Sequence, residues 1–196
     1  MTPPDSADAA RPVRSDARRN REKLVTVARA TFAATDADGT VSLEAIAREA
    51  GVGIGTLYRH FPTREALVEA VYAAELDDVA TSAATLLKEL PPEAALRAWM
   101  DRYAAFVETK RGMADVLRAG WASGRIATPM TRQRITAAVG SLLTAGAEAG
   151  AFRADADPDD VTTLLLGIFL ATTTGPDPAR IGRLLDLVVD ALRPNR

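Results

Sequence analysis

Apolar positions recur every three to four residues along most of this chain, and runs of β-branched residues are scarce. Between residues 15 and 34, Leu24, Val27, Ala28, Thr31 and Phe32 fall on one face of a helix. TDADGT interrupts that pattern. Ser42 then stands where an N-cap belongs for a second helix, SLEAIAREA, with Val41 and Ile46 spaced as a hydrophobic staple. Gly51 closes this helix and a short third one follows over 53–60. Phe61-Pro62 ends it, because a residue before proline resists the helical conformation. Thr63 caps a long fourth helix.

Five further helices are predicted, over about 93–109, 113–121, 129–149, 158–173 and 178–192. In the last, Ile181, Leu184, Leu185, Val188, Val189 and Leu192 form one stripe, which buries against one surface. The helix before it is different. Val161, Leu164, Leu165, Leu166, Ile168, Phe169 and Leu170 cover every side, so it needs cover on two faces, from a core alone or from a core and a second subunit. The whole chain reads as all-α.

Composition narrows the classes. Of 196 residues 47% are hydrophobic, enough for a real core, and there is no cysteine. That excludes a disulfide framework, a thiol nucleophile and a cysteine-bearing zinc site. No apolar run reaches the roughly 18 residues of a membrane helix. The start, MTPPDSADAARPVR, lacks the apolar core of a secretory signal and reads as a disordered tail over 1–14. A cytoplasmic protein without membrane contact is the expectation. Net charge is −2, unevenly distributed: residues 11–64 hold ten basic against six acidic residues, and residues 65–196 hold fourteen against eighteen. Only the basic front suits an anionic partner.

A short helix, a tight glycine turn and a second short helix make a helix-turn-helix, whose second helix lies in the major groove. Gly53 and Gly55 remove side chains where groove and backbone come closest. Thr56, Tyr58 and His60 supply hydrogen-bond donors suited to phosphate oxygens, and Arg59 and Arg64 add charge. A glycine loop between two core helices, with a surface tyrosine and histidine, is the alternative. Two rival motifs fail. In a dinucleotide fingerprint Thr56 would occupy a glycine position, and a calcium loop at DADG (36–39) would place Ala34 and Ala45 where carboxylates are required.

Residues 42–67, SLEAIAREAGVGIGTLYRHFPTREAL, resemble the DNA-binding region of the TetR family of bacterial transcriptional repressors. The resemblance covers residues 15 to about 67. It implies phosphate contacts from Thr56, Tyr58, His60 and Arg64, and base contacts from Gly53, Ile54 and Gly55. Two of those three carry no side chain, so sequence readout leans on Arg59, Arg48 or DNA shape. Ser42 and Arg48 complete the candidate DNA-binding set. The resemblance also implies a homodimer through the last two helices, with Leu166, Leu170 and Leu187 as candidate interface residues.

Residues 15–64 are therefore assigned to DNA binding and 65–196 to dimerisation and an effector. Trp99, Met100, Tyr103, Phe106, Met113 and Trp121 crowd the body; such side chains line pockets for apolar small molecules, and equally fill cores. Arg102, Glu108, Arg118 or Arg132 could orient a polar group of a ligand. The function read from the chain is a dimeric repressor on a palindromic double-stranded operator, released by an unidentified small molecule and needing no cofactor or metal. Two alternatives stand: a constitutive DNA-binding protein without effector, and an enzyme with an appended helix-turn-helix. The single histidine lies inside the DNA motif, which leaves the enzyme few catalytic groups.

Overall fold

The computed structural model describes residues 10–34, 41–111, 113–122, 128–172 and 177–194. Its helices are α1 (Ala10–Ala33), α2 (Leu43–Glu49), α3 (Ile54–His60), α4 (Arg64–Glu89), α5 (Pro92–Arg111), α6 (Ala114–Ala122), α7 (Thr128–Glu148), α8 (Pro158–Ala171) and α9 (Pro178–Leu192). Among the described residues there is no strand, so the all-α expectation holds. α1 begins at Ala10, inside the segment expected to be tail. Pro12 falls in its first turn, where a missing N–H costs no helical hydrogen bond. The DADG turn lies outside the described residues, as do residues 1–9.

The chain forms two compact units. One runs to Ala74 and takes in Thr109–Ser123; the other combines Glu75–Glu108 with the chain from Gly124 onward. The first unit thus reaches beyond the 64/65 boundary read from the sequence. The reason is burial: Leu67, Val68, Val71 and Tyr72 at the start of α4 are all at most 5% exposed. The return of 109–123 brings the Lys110 ammonium 5.3 Å from the centre of the Tyr72 ring. Burial holds that ammonium's pKa down to about 8, so its charge is a cost to this unit at neutral pH.

Local chemistry sets the first unit's short helices. The Ala45 N–H donates to Ser42 Oγ at 3.2 Å, capping α2 as expected. At its other end Gly51 takes φ +67°, and the N–H groups of Gly51 and Val52 donate to Arg48 and Ala47 carbonyls at 3.1 and 2.9 Å. This pair of bonds is a Schellman turn, and its left-handed residue strains any side chain. The Ala66 N–H donates to Thr63 Oγ1 at 3.2 Å, capping α4. Leu24, Ala28 and Phe32 of α1, Ile46 of α2 and Leu57 of α3 are completely buried and form the core of this unit.

In the second unit α7 packs on α8 and α8 on α9. Arg132 of α7 grips Asp159 of α8 with two parallel bonds of 3.0 and 2.7 Å and reaches Thr163 at 2.7 Å. It holds the Asp159 carboxyl below its usual range. Asp157 and Asp177 cap α8 and α9, each followed by proline at the first helical position. The α9 stripe is as predicted for Ile181, Leu185, Val188, Val189 and Leu192, all at most 7% exposed; Leu184, at its margin, is half-buried.

Candidate nucleic-acid interface

α3 is seven residues long, two turns, too short to persist in water without tertiary support. Leu57, fully buried, and Phe61, 2% exposed, supply that support by pinning one side of the helix. Arg21 of α1 lies 5.2 Å from the Phe61 ring centre, a cation–π contact closing the same seam. With that side fixed, the rest of α3 faces outward. Ile54 is 39% and Tyr58 45% exposed, Arg59 is exposed, and Thr56 and His60 are half-buried.

Gly53 and Gly55 are exposed, and a Cβ built on either meets nothing within 4 Å. Gly53, at the N-cap, has ordinary extended backbone (φ −64°, ψ 142°) and leaves α3 without a side-chain cap. A Ser, Thr, Asp or Asn there would add a cap bond and roughly a few tenths of a kcal/mol over glycine. Unlike Gly51, then, neither glycine is demanded by the fold. What they provide is bare backbone on the outer face of the helix.

The polar candidates divide by what already engages them. Arg59 folds back on its own helix, donating from Nε to the Gly55 carbonyl at 3.2 Å and from Nη2 to Thr56 Oγ1 at 3.0 Å. Thr56, Arg59 and His60 share a cleft with Asp16, Ala17 and Asn20 of α1. The Ser42 hydroxyl is used internally: besides accepting from Ala45 it donates to Glu44 at 2.9 Å. Arg48 is exposed in the last turn of α2. Arg64 is half-buried, and its Nε is buried without a hydrogen-bond partner among the described residues.

The body candidates divide between the two units. Trp99, Met100, Tyr103 and Phe106 are all at most 3% exposed in the second unit. The Trp99 indole N–H donates to the Val79 carbonyl at 3.0 Å, and the Tyr103 ring meets Trp99 at 5.4 Å and the edge of Phe169 at 5.2 Å. Met113, also buried, belongs to the first unit. The side chain of Trp121 lies outside the described residues. Arg132 is committed to Asp159 and Thr163, which removes it as a ligand-orienting group; Arg102, Glu108 and Arg118 are exposed.

On α8 and α9 the outward residues are sharply defined. Leu170 is 70% and Leu187 61% exposed, whereas Leu166 is half-buried at the flank of its helix. Leu164, 50% exposed, is not among the interface candidates the sequence offers. Its signal is the helical register: with Val161, Leu165 and Phe169 inward, Leu164, Gly167 and Leu170 fall on the opposite arc.

Residues 24–71 match the profile of the bacterial regulatory proteins, tetR family, and residues 91–194 that of the transcriptional regulator SbtR-like C-terminal domain. The crystal structure of a TetR transcriptional regulator from Streptomyces coelicolor is 46% identical, the match covering 90% of this chain and 99% of that one with a TM-score of 0.80. The chain belongs to the TetR family of transcriptional regulators. A TetR transcription regulatory protein from Mycobacterium vanbaalenii is 35% identical over 93% of this chain and 100% of its own, with a TM-score of 0.72. An HTH-type transcriptional regulator of Staphylococcus aureus is 39% identical over 67 residues, 33% of this chain. The chain spans 35% of the length of that curated relative. As a TetR-family member it is a DNA-binding regulator, and α2 with α3 is its helix-turn-helix.

The glycines yield a prediction that separates fold from function in this TetR-family motif. Gly51→Ala should lose about 1–2 kcal/mol of stability, because it forces a side chain into the left-handed region. Gly55→Leu should be neutral or stabilising by up to about 1 kcal/mol, since it improves helix propensity and its Cβ meets nothing within 4 Å. It should nevertheless weaken duplex DNA binding at least tenfold by holding the backbone off the groove. Urea denaturation and DNA titration on the same samples measure both; full DNA affinity in Gly55→Leu contradicts the close-approach role.

Proposed function

We propose that this protein is a homodimeric repressor that binds a palindromic operator through two copies of α3 and is released by a small apolar effector. The observation that carries the dimer is the exposure of Leu164, Leu170 and Leu187, at 50, 70 and 61%, on two adjoining helices. Fully burying a leucine is worth about 1.5–3 kcal/mol, so a twofold contact over these residues gains from each one twice. DNA supplies the second argument. A single two-turn helix reads too few base pairs, and a twofold dimer places a second helix in the next major groove on the same side. Tyr58, His60 and Arg64 hold the phosphates in this reading, with Arg48 of α2 as a further cation.

Leu170→Asp and Leu187→Asp should give folded monomers, because an unpaired carboxylate in a dry interface costs several kcal/mol. Each should lose operator affinity about a hundredfold or more with α3 untouched, since the two half-sites are no longer tethered. Sedimentation and operator titration decide this: variants that remain dimeric place the interface elsewhere, and a monomer with undiminished affinity removes dimerisation from the mechanism.

Effector release is the second half of the proposal. Trp99, Met100, Tyr103 and Phe106 offer rigid and adaptable apolar surface of the kind that binds small molecules. A ligand acts only through its preference for one of two states of the body, and α4, which contributes residues to both units, is the element able to carry that bias. The interlocked burial of those four side chains also favours a second reading, a filled core and constitutive DNA binding. A metabolite screen by thermal shift separates the two. Effector control expects a compound that raises the melting temperature and lowers operator affinity, and a compound-independent protein is the constitutive one.

A further inference from the structure

We infer that Ile54 is the side chain through which α3 distinguishes bases, and that the base it selects is thymine, recognised by its 5-methyl group. The inference rests on the reading of α3 as the groove-binding helix and specifies what that helix reads.

The argument begins with what the first turn offers. Of Gly53, Ile54, Gly55 and Thr56, two have no side chain, and open space surrounds both. Thr56 Oγ1 is occupied by Arg59 Nη2, and Arg59 Nε by the Gly55 carbonyl. Ile54 is the one large apolar side chain of this turn, and it stays 39% exposed on the outer face of the helix. Its β-branch makes it a poorer helix former than alanine or leucine, so helix stability does not explain it either.

The chemistry of base edges then narrows the target. Bidentate recognition of adenine uses Asn or Gln, and the cytosine amino group is met by Asp or Glu. The α3 sequence, IGTLYRH, contains none of these. Guanine is the usual partner of arginine, and here Arg59 would have to give up two hydrogen bonds to its own helix to reach one. The major groove displays a single apolar group, the thymine methyl. An isoleucine presented to that groove can tell bases apart only by it. The flanking glycines let the backbone settle deeply enough for methyl and side chain to touch, and the stiff β-branched χ1 leaves little freedom to lose on contact.

The test uses the full-length protein and a duplex selected by it from a library with a randomised core. Each thymine of the selected duplex is replaced, symmetrically in both half-sites, by deoxyuridine, which lacks only the 5-methyl group. One thymine per half-site should prove sensitive. Its replacement should weaken binding about fourfold per half-site and about fifteenfold when both are changed, the worth of one buried methyl each. In Ile54→Ala the same replacement should have no effect, while the variant binds the thymine duplex as weakly as the wild type binds the uracil one. Indifference to every deoxyuridine, or a methyl effect that persists undiminished in Ile54→Ala, overturns the assignment while leaving operator binding intact. A library that yields no preferred sequence removes the operator reading and this assignment with it.

Discussion

Seven residues of helix cannot hold themselves together in water, and much of this structure follows from how α3 is nonetheless held. Leu57 and Phe61, one turn apart, anchor it to α1 and α2 through one narrow seam. Because the anchor is narrow, most of the helix circumference stays outside the core. Caps and turns then fix where the helix begins: Ser42 starts α2, the left-handed Gly51 turns the chain, and Thr63 starts α4. The first unit thus concentrates its apolar burial on one side and leaves a surface of glycine, isoleucine, tyrosine and arginine on the other. Such a surface is costly for a protein that stays alone and useful for one that meets a nucleic acid.

The second unit solves a related problem differently. α8 is apolar over too much of its circumference for one neighbour to cover. Val161, Leu165 and Phe169 face the interior, the Arg132 fork locks α7 to its first turn, and α9 packs beside it. The arc bearing Leu164 and Leu170 remains uncovered within one chain. In the proposed reading an unsatisfied apolar face and a recognition helix of limited reach are complementary deficits, which the proposed twofold dimer would repair together.

Local features of this fold were legible in the sequence, and long-range ones were not. The caps at Ser42 and Thr63, the stop at Gly51 and the break at Phe61-Pro62 depend on neighbours within four residues, so spacing exposes them. The buried face of α9 was legible for the same reason. By contrast, uniform apolarity around α8 hides which arc faces inward, which is why Leu166 and not Leu164 stood among the interface candidates. The Arg132–Asp159 fork joins residues 27 apart in sequence, and the return of 109–123 to the first unit depends on the burial of Tyr72 and Lys110. Neither leaves a local trace. Arg59 looked free to contact DNA because its bonds to Gly55 and Thr56 depend on a rotamer, which residue type alone does not specify.

The central claim is that two bare-faced α3 helices enter successive major grooves of one operator. Dimethyl sulfate protection of guanine N7, which lies in the major groove, tests it most directly on a duplex selected by the protein. The account predicts two symmetric protected patches on one face of the duplex, separated by one helical turn or a whole multiple of it. A single protected patch, or tight sequence-specific binding that leaves guanine N7 reactivity unchanged at every position, would contradict it.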